Sequence, residues 1–189
     1  MYSKYESALN ICHRELAADE LRAEIEPKLI HSILVARVLE KYTKNEDLLA
    51  VALLHEIPTD RLKELVNYDK NLFNKDVRRY LYYMNKGLTA DSNWWERSVR
   101  QLQEIAKAPW QVAMIKTAIY IRNLNFLLDN FKYSSEMFEE HFGYNPKNVV
   151  TVYSHLCFIA STHASIPKPM IDELLMLIDK FKDRFTDSR

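Results

Sequence analysis

Apolar residues return every three or four positions along most of the chain, the period of a helix with one buried face. Tyr5, Ala8, Leu9, Cys12 and Leu16 form such a stripe and predict a first helix beginning after Ser3. After Pro27, which suits a first helical turn, Ile30, Ile33, Leu34, Val38 and Tyr42 form a second stripe, with His31, Val35 and Leu39 on an adjoining face. That helix is apolar around most of its circumference and is predicted to be central. Asn45 offers a cap for a third helix, and Glu46 and Asp47 sit where a helix N-terminus favours negative charge. The apolar run 48–54 then ends on His55-Glu56, because Pro58 turns the preceding residue away from helical geometry. Further helices are predicted over 59–66, 74–86 (ending at Gly87), 94–107, 112–130, 149–163 and 169–185, with a long surface loop over 131–145.

Composition agrees with this pattern. The chain of 189 residues has only two glycines, Gly87 and Gly143, where ordinary usage near 7% would supply about a dozen. Tight hairpin turns and glycine-rich phosphate loops both lack their usual residue, so the fold class is all-α. No repeat or shift of composition marks a boundary, and the expectation is a single helical domain over 1–189, with a motif-bearing core of about 8–128 and C-terminal helices over about 146–186.

With 26 basic and 26 acidic residues the formal net charge is zero, which leaves no long-range field to draw in nucleic acid or an anionic membrane. No specific nucleic-acid partner and no membrane are expected. Arg78, Arg79, Arg97, Arg100, Lys75 and Lys107 read as solvated helix faces, although they could form a basic rim for phosphates. Tyr80, Tyr82, Tyr83, Trp94, Trp95 and Trp110 read as packing between helices, and the surplus of aromatics allows a homo-oligomer surface. Cys12 and Cys157 lie in apolar helical patterns and read as buried free thiols, which fits a reducing cytoplasm. The amino terminus has no apolar signal-peptide core and no apolar run reaches the ~18 residues of a membrane span, so a cytoplasmic location is expected.

The residues with chemistry are His31, the pair His55-Glu56 closing an Ala-Leu-Leu helix, Thr59-Asp60, and the run from Lys116 through Ile119 to Asn123. Their order and spacing resemble the HD superfamily of metal-dependent phosphohydrolases, and more narrowly its guanosine tetraphosphate (ppGpp) hydrolase branch, over about 8–128. The resemblance implies that His31 and His55 are metal ligands and that Glu56 stands in for the aspartate of the superfamily's His-Asp pair. Its extra methylene is expected to carry the carboxylate oxygen off by more than about an ångström, a large displacement for a metal site. Ile119 stands where the resemblance puts the last metal-binding aspartate. Asp60 keeps one half of the catalytic acidic pair, and Thr59 replaces the other with a hydroxyl that is no base at neutral pH. Lys116 and Asn123 keep nucleotide-contacting positions, whereas the basic pair that flanks the guanine is replaced by Ala18-Asp19.

Two imidazoles and one carboxylate leave about one unit of positive charge on a divalent ion, and an uncompensated buried charge costs several kcal/mol. Full occupancy by a cofactor is therefore not expected; a functional site would take a divalent metal, Mn, Fe or Zn. Three functions follow. The first is a degenerate, catalytically impaired HD protein that senses a nucleotide or binds a protein. The second is an active phosphohydrolase with a rearranged metal site, and the third is a structural or oligomeric module with a vestigial pocket.

Overall fold

The computed structural model describes residues 3–17, 27–66, 69–86, 93–132 and 134–186, and every regular element among them is a helix. The expectations for Ala18-Asp19 and Gly87 lie outside the described residues. The chain forms two compact units, Met1–Asn85 and Lys86–Arg189.

The first unit holds α1 (Lys4–Leu16), α2 (Lys28–Glu40), α3 (Glu46–Leu54), α4 (Thr59–Leu65) and α5 (Lys75–Asn85). Its ends are set by local chemistry. Ser3 Oγ accepts from the Glu6 N–H at 3.2 Å while the Glu6 carboxylate accepts from the Ser3 N–H at 2.8 Å, a reciprocal cap of α1. Asn45 caps α3 as expected, accepting from the Asp47 and Leu48 N–H groups. Asp47 then ties three segments together. It takes the Lys4 ammonium at 2.6 Å and both carboxylate oxygens accept from Asn74 Nδ2, at 3.2 and 3.1 Å, just ahead of α5.

The central helix is α3, which packs against α1, α2 and α5 and buries every residue from Leu48 to Leu54. The expectation that α2 would be central is corrected. Its buried face is Leu29, Ser32, Val35, Ala36, Val38 and Leu39, while Ile30 is 44% exposed and Ile33 and Leu34 are half-buried. The small hydroxyl of Ser32 fits the crowded face beside Cys12, a position that polarity alone would assign to solvent.

Arg61 in α4 reaches back to α1, its Nε 2.6 Å and its Nη2 3.2 Å from the two Glu15 oxygens, and it also bonds Glu64. These hydrogen bonds, chiefly that from Arg61, hold the Glu15 carboxyl below its ordinary value. A depressed folded-state pKa gives stability that is present above the unfolded value of about 4.3 and is lost as pH falls through the folded one. Arg61→Gln is therefore expected to lower the melting temperature at pH 7, with the difference from the parent shrinking below about pH 4. Thermal melts across pH 2–8 check this, and a difference independent of pH would contradict it.

The second unit holds α6 (Trp94–Ile105), α7 (Trp110–Asn130), α8 (Ser135–Phe142), α9 (Pro146–Ser161) and α10 (Lys168–Phe185). Here α7 packs on α9 and α10, and α9 also meets α6 and α8. The long loop expected over 131–145 contains α8 instead. Ser134 caps it, and Gly143 at φ +71° ends it in the left-handed conformation that favours glycine. Phe138 is fully buried, its ring centroid 4.5 Å from Phe142, 5.2 Å from Phe185 and 5.6 Å from Phe181. Two phenylalanines four apart are too few to register as a periodic stripe, yet they suffice to seat a helix of eight residues.

Among the described residues no helix is long and apolar enough to cross a membrane. Cys12 and Cys157 are buried and free.

Candidate metal centre

His31 stands in the first turn of α2, and His55 is the residue on which α3 ends, followed by Glu56. The two imidazole centroids are 5.4 Å apart, inclined at 56°. A ligand-type atom from each of His31, His55 and Glu56 lies within 4.8 Å of the other two. The sequence-predicted metal residues thus converge.

The His55 ring is the best-defined part. Its side chain is 5% exposed. Nδ1 lies 2.7 Å from the Ala52 carbonyl oxygen, an acceptor only, so Nδ1 carries the proton and donates it. That leaves Nε2 with a bare lone pair in the neutral ring. It is buried without a hydrogen-bond partner, although the Glu56 Oε1 is only 3.3 Å away. The Nε2 nitrogen with its lone pair and the carboxylate oxygen are both electron-rich, and at that distance they repel. A proton on Nε2 would turn the contact into an ion pair, but the alignment is not that of a hydrogen bond. A cation between the two atoms relieves the repulsion directly.

The donor set fits such an ion. Bonds of about 2.1 Å place neighbouring donors about 3.0–3.4 Å apart in octahedral or tetrahedral geometry, and the His55–Glu56 separation of 3.3 Å lies in that range. The Glu56 carboxylate thus lies 3.3 Å from His55 Nε2 and offers an oxygen within 4.8 Å of a His31 ring nitrogen. The Nδ1 bond to Ala52 is the kind of outer contact that fixes the tautomer of a metal-binding histidine. Sequence reasoning missed this contact, because a bond to the carbonyl three residues back leaves no mark on residue type.

Asp60 does not join the cluster; it lies exposed in the first turn of α4, next to Thr59. Cys12 lies near enough to feel the Glu56 charge. Burial, with that charge adding to it and the Ser32 hydroxyl opposing, pushes the Cys12 thiol up to about 11, so it remains protonated at neutral pH.

The remaining candidates lie on α7 of the second unit. Lys116 is buried with 8% exposure, Ile119 is buried at 6%, and Asn123 is half-buried. Asn123 Nδ2 donates to the Tyr153 hydroxyl at 3.3 Å, which meets its need for a partner on a largely apolar helix. Tyr153 stacks on Tyr120 at 3.8 Å, and Trp94 stacks on Tyr144 at 4.3 Å. Burial raises the Tyr120 and Tyr153 hydroxyls well above their ordinary value and pushes Tyr144 up to about 12. These rings are packing groups; of the aromatics read as packing from the sequence, Tyr80 is buried and Trp94 stacks on Tyr144, whereas Tyr82 is 59% and Trp95 38% exposed, a correction to that reading.

The sequence matches no protein-family model, and no curated protein matches it. The structure does match a solved one, that of a metazoan orthologue of SpoT described as hydrolysing ppGpp and playing a role in starvation responses. The TM-score is 0.65 at 20% identity, over 97% of this chain and 96% of that one. The two share an all-α helical-bundle fold, the fold class expected from the motif resemblance. His31, His55 and Glu56, which converge in space, are the residues that the same resemblance assigns to a metal.

Proposed function

We propose that this chain is a catalytically impaired HD-type protein that binds a nucleotide without hydrolysing it. The observation that carries the reading is the incomplete set of polar groups. His31, His55 and Glu56 supply three donors, whereas Ile119 is a buried hydrocarbon and Asp60 lies outside the cluster.

The three donors would hold a divalent ion, Mn, Fe or Zn, which when bound polarises a phosphoryl oxygen and favours ionisation of a coordinated water. With one carboxylate the site carries about one unit of excess positive charge, so occupancy is partial and the ion attracts a phosphate rather than being neutralised by protein. His55 keeps its lone pair on Nε2 through the bond to Ala52, and Glu56 supplies the only negative charge of the cluster. The Thr59 hydroxyl cannot accept a proton from water at neutral pH. The motif resemblance assigns nucleotide contacts to Lys116 and Asn123, and Asn123 would make its own by exchanging its bond to Tyr153 for one to the ligand. A cytoplasmic setting belongs to the same reading.

A thermal-shift titration tests it. With Mn(II) and ppGpp at about a hundred times the dissociation constant, the melting temperature should rise by about 5–10 °C, and Asn123→Ala should reduce the shift. The absence of any shift with nucleotides would contradict nucleotide binding and favour a purely structural role.

A further inference from the structure

The solvent side of α9 is unlike the rest of the surface. From residue 148 to residue 167 the chain has no Lys, Arg, Asp or Glu, although 28% of all residues are charged. Core packing accounts for only part of this. Val149, Val152, Tyr153, Leu156, Cys157 and Ala160 are buried, but Thr151, Ser154, His155, Phe158 and Ser161 face solvent and are uncharged too. Depletion of charge with a projecting aromatic ring is the compositional mark of an interface core.

A knob and a hole lie side by side on this face. The knob is Phe158, 70% exposed, more than any other large apolar side chain among the described residues. The hole is a half-open groove of about 480 Å³ lined by Trp95, Val99 and Leu102 of α6 and by Val152, His155 and Ile159 of α9. Phe158 follows His155 by three residues and so stands on the groove side of α9.

We infer that this face is the contact between two copies of the chain related by a two-fold axis, with Phe158 of each copy seated in the α6–α9 groove of the other. Adjacent knob and hole are what an isologous contact requires, because the same patch must supply both. Near a two-fold axis each side chain also meets its own copy, so a carboxylate or ammonium there would meet a like charge. The uncharged run of α9 meets that condition, and a charged partner of another kind would find nothing there to pair with. The zero net charge adds no long-range repulsion between copies. Two neighbouring helices, α9 about 24 Å long, offer a footprint of about 500 Å² per copy. That is near the lower limit for a specific interface, so the dimer is expected to be micromolar.

Sedimentation equilibrium of the full chain between about 1 and 200 μM tests the inference across the expected micromolar range. The parent should move from the monomer mass of 22.4 kDa towards twice that value. Phe158→Asp and Thr151→Arg, both at exposed positions, should weaken association at least about tenfold while leaving the melting temperature of the monomer unchanged, since neither side chain is part of the core. A parent that stays monomeric throughout would overturn it, including one whose groove takes up an apolar dye as a monomer. Undiminished dimerisation of Phe158→Asp would overturn it equally.

Discussion

Replacing His55 by alanine should weaken the binding of Mn(II) and Zn(II) expected of the parent by at least about a hundredfold. The lone pair is on Nε2 because Nδ1 holds the proton and donates it in a hydrogen bond to the Ala52 carbonyl, so the ring offers one donor in a fixed orientation, 3.3 Å from the Glu56 carboxylate. Alanine removes that donor and one buried hydrogen bond. The bond is worth about 1 kcal/mol, too little to unfold the chain, so circular dichroism should be unchanged. Glu56→Gln keeps the shape and removes the charge, and should weaken binding by about ten- to a hundredfold. Isothermal titration against each metal reads both variants. Equal affinity in the parent and His55→Ala would show that the ion binds elsewhere.

Phe138→Ala should cost about 3–5 kcal/mol and lower the melting temperature of the second unit by about 10 °C. Phe138 is fully buried, and the rings of Phe142, Phe181 and Phe185 enclose it from α8 and α10. Those neighbours are themselves large and held by one another, so the cavity cannot collapse fully, which places the cost above the bare transfer term. Urea unfolding measures it. A change below about 1 kcal/mol would mean that α8 is not seated on this aromatic cluster.

The parts of the fold that were legible in the sequence are those whose signal is local. Ser3, Asn45 and Pro58 mark helix ends through their own backbone and side-chain chemistry, and α1, α3 and α4 begin or stop there. The seven buried residues of α3 form an uninterrupted apolar run. Where packing decides, the pattern misleads. The buried face of α2 includes Ser32, because a small hydroxyl fits where it lies against Cys12, while the larger Ile30 is left 44% exposed. The helix α8 depends on contacts with Phe181 and Phe185, some forty residues later in the chain.

The candidate site divides in the same way. That His31, His55 and Glu56 belong together follows from the order of motifs, and their convergence in space agrees. Glu56 follows the last turn of α3 and places a carboxylate oxygen 3.3 Å from His55 Nε2, a separation that residue types alone do not give. The bond from His55 to Ala52, which leaves that nitrogen ready for a cation, involves a backbone carbonyl and could not be read from residue types. Asn123 was equally open between a buried partner and a ligand; the Tyr153 hydroxyl, thirty residues away, supplies the partner.

On the proposed function, the cluster of His31, His55 and Glu56 holds an ion without supporting turnover. The most direct test is to incubate the Mn(II)-loaded protein with ppGpp and follow the nucleotide by anion-exchange chromatography, with the melting temperature recorded on the same sample. Intact ppGpp, consumed no faster than in a control with Mn(II) alone, together with a raised melting temperature, is the result expected. Multiple turnovers that vanish in His55→Ala would contradict impairment and make the rearranged site an active one.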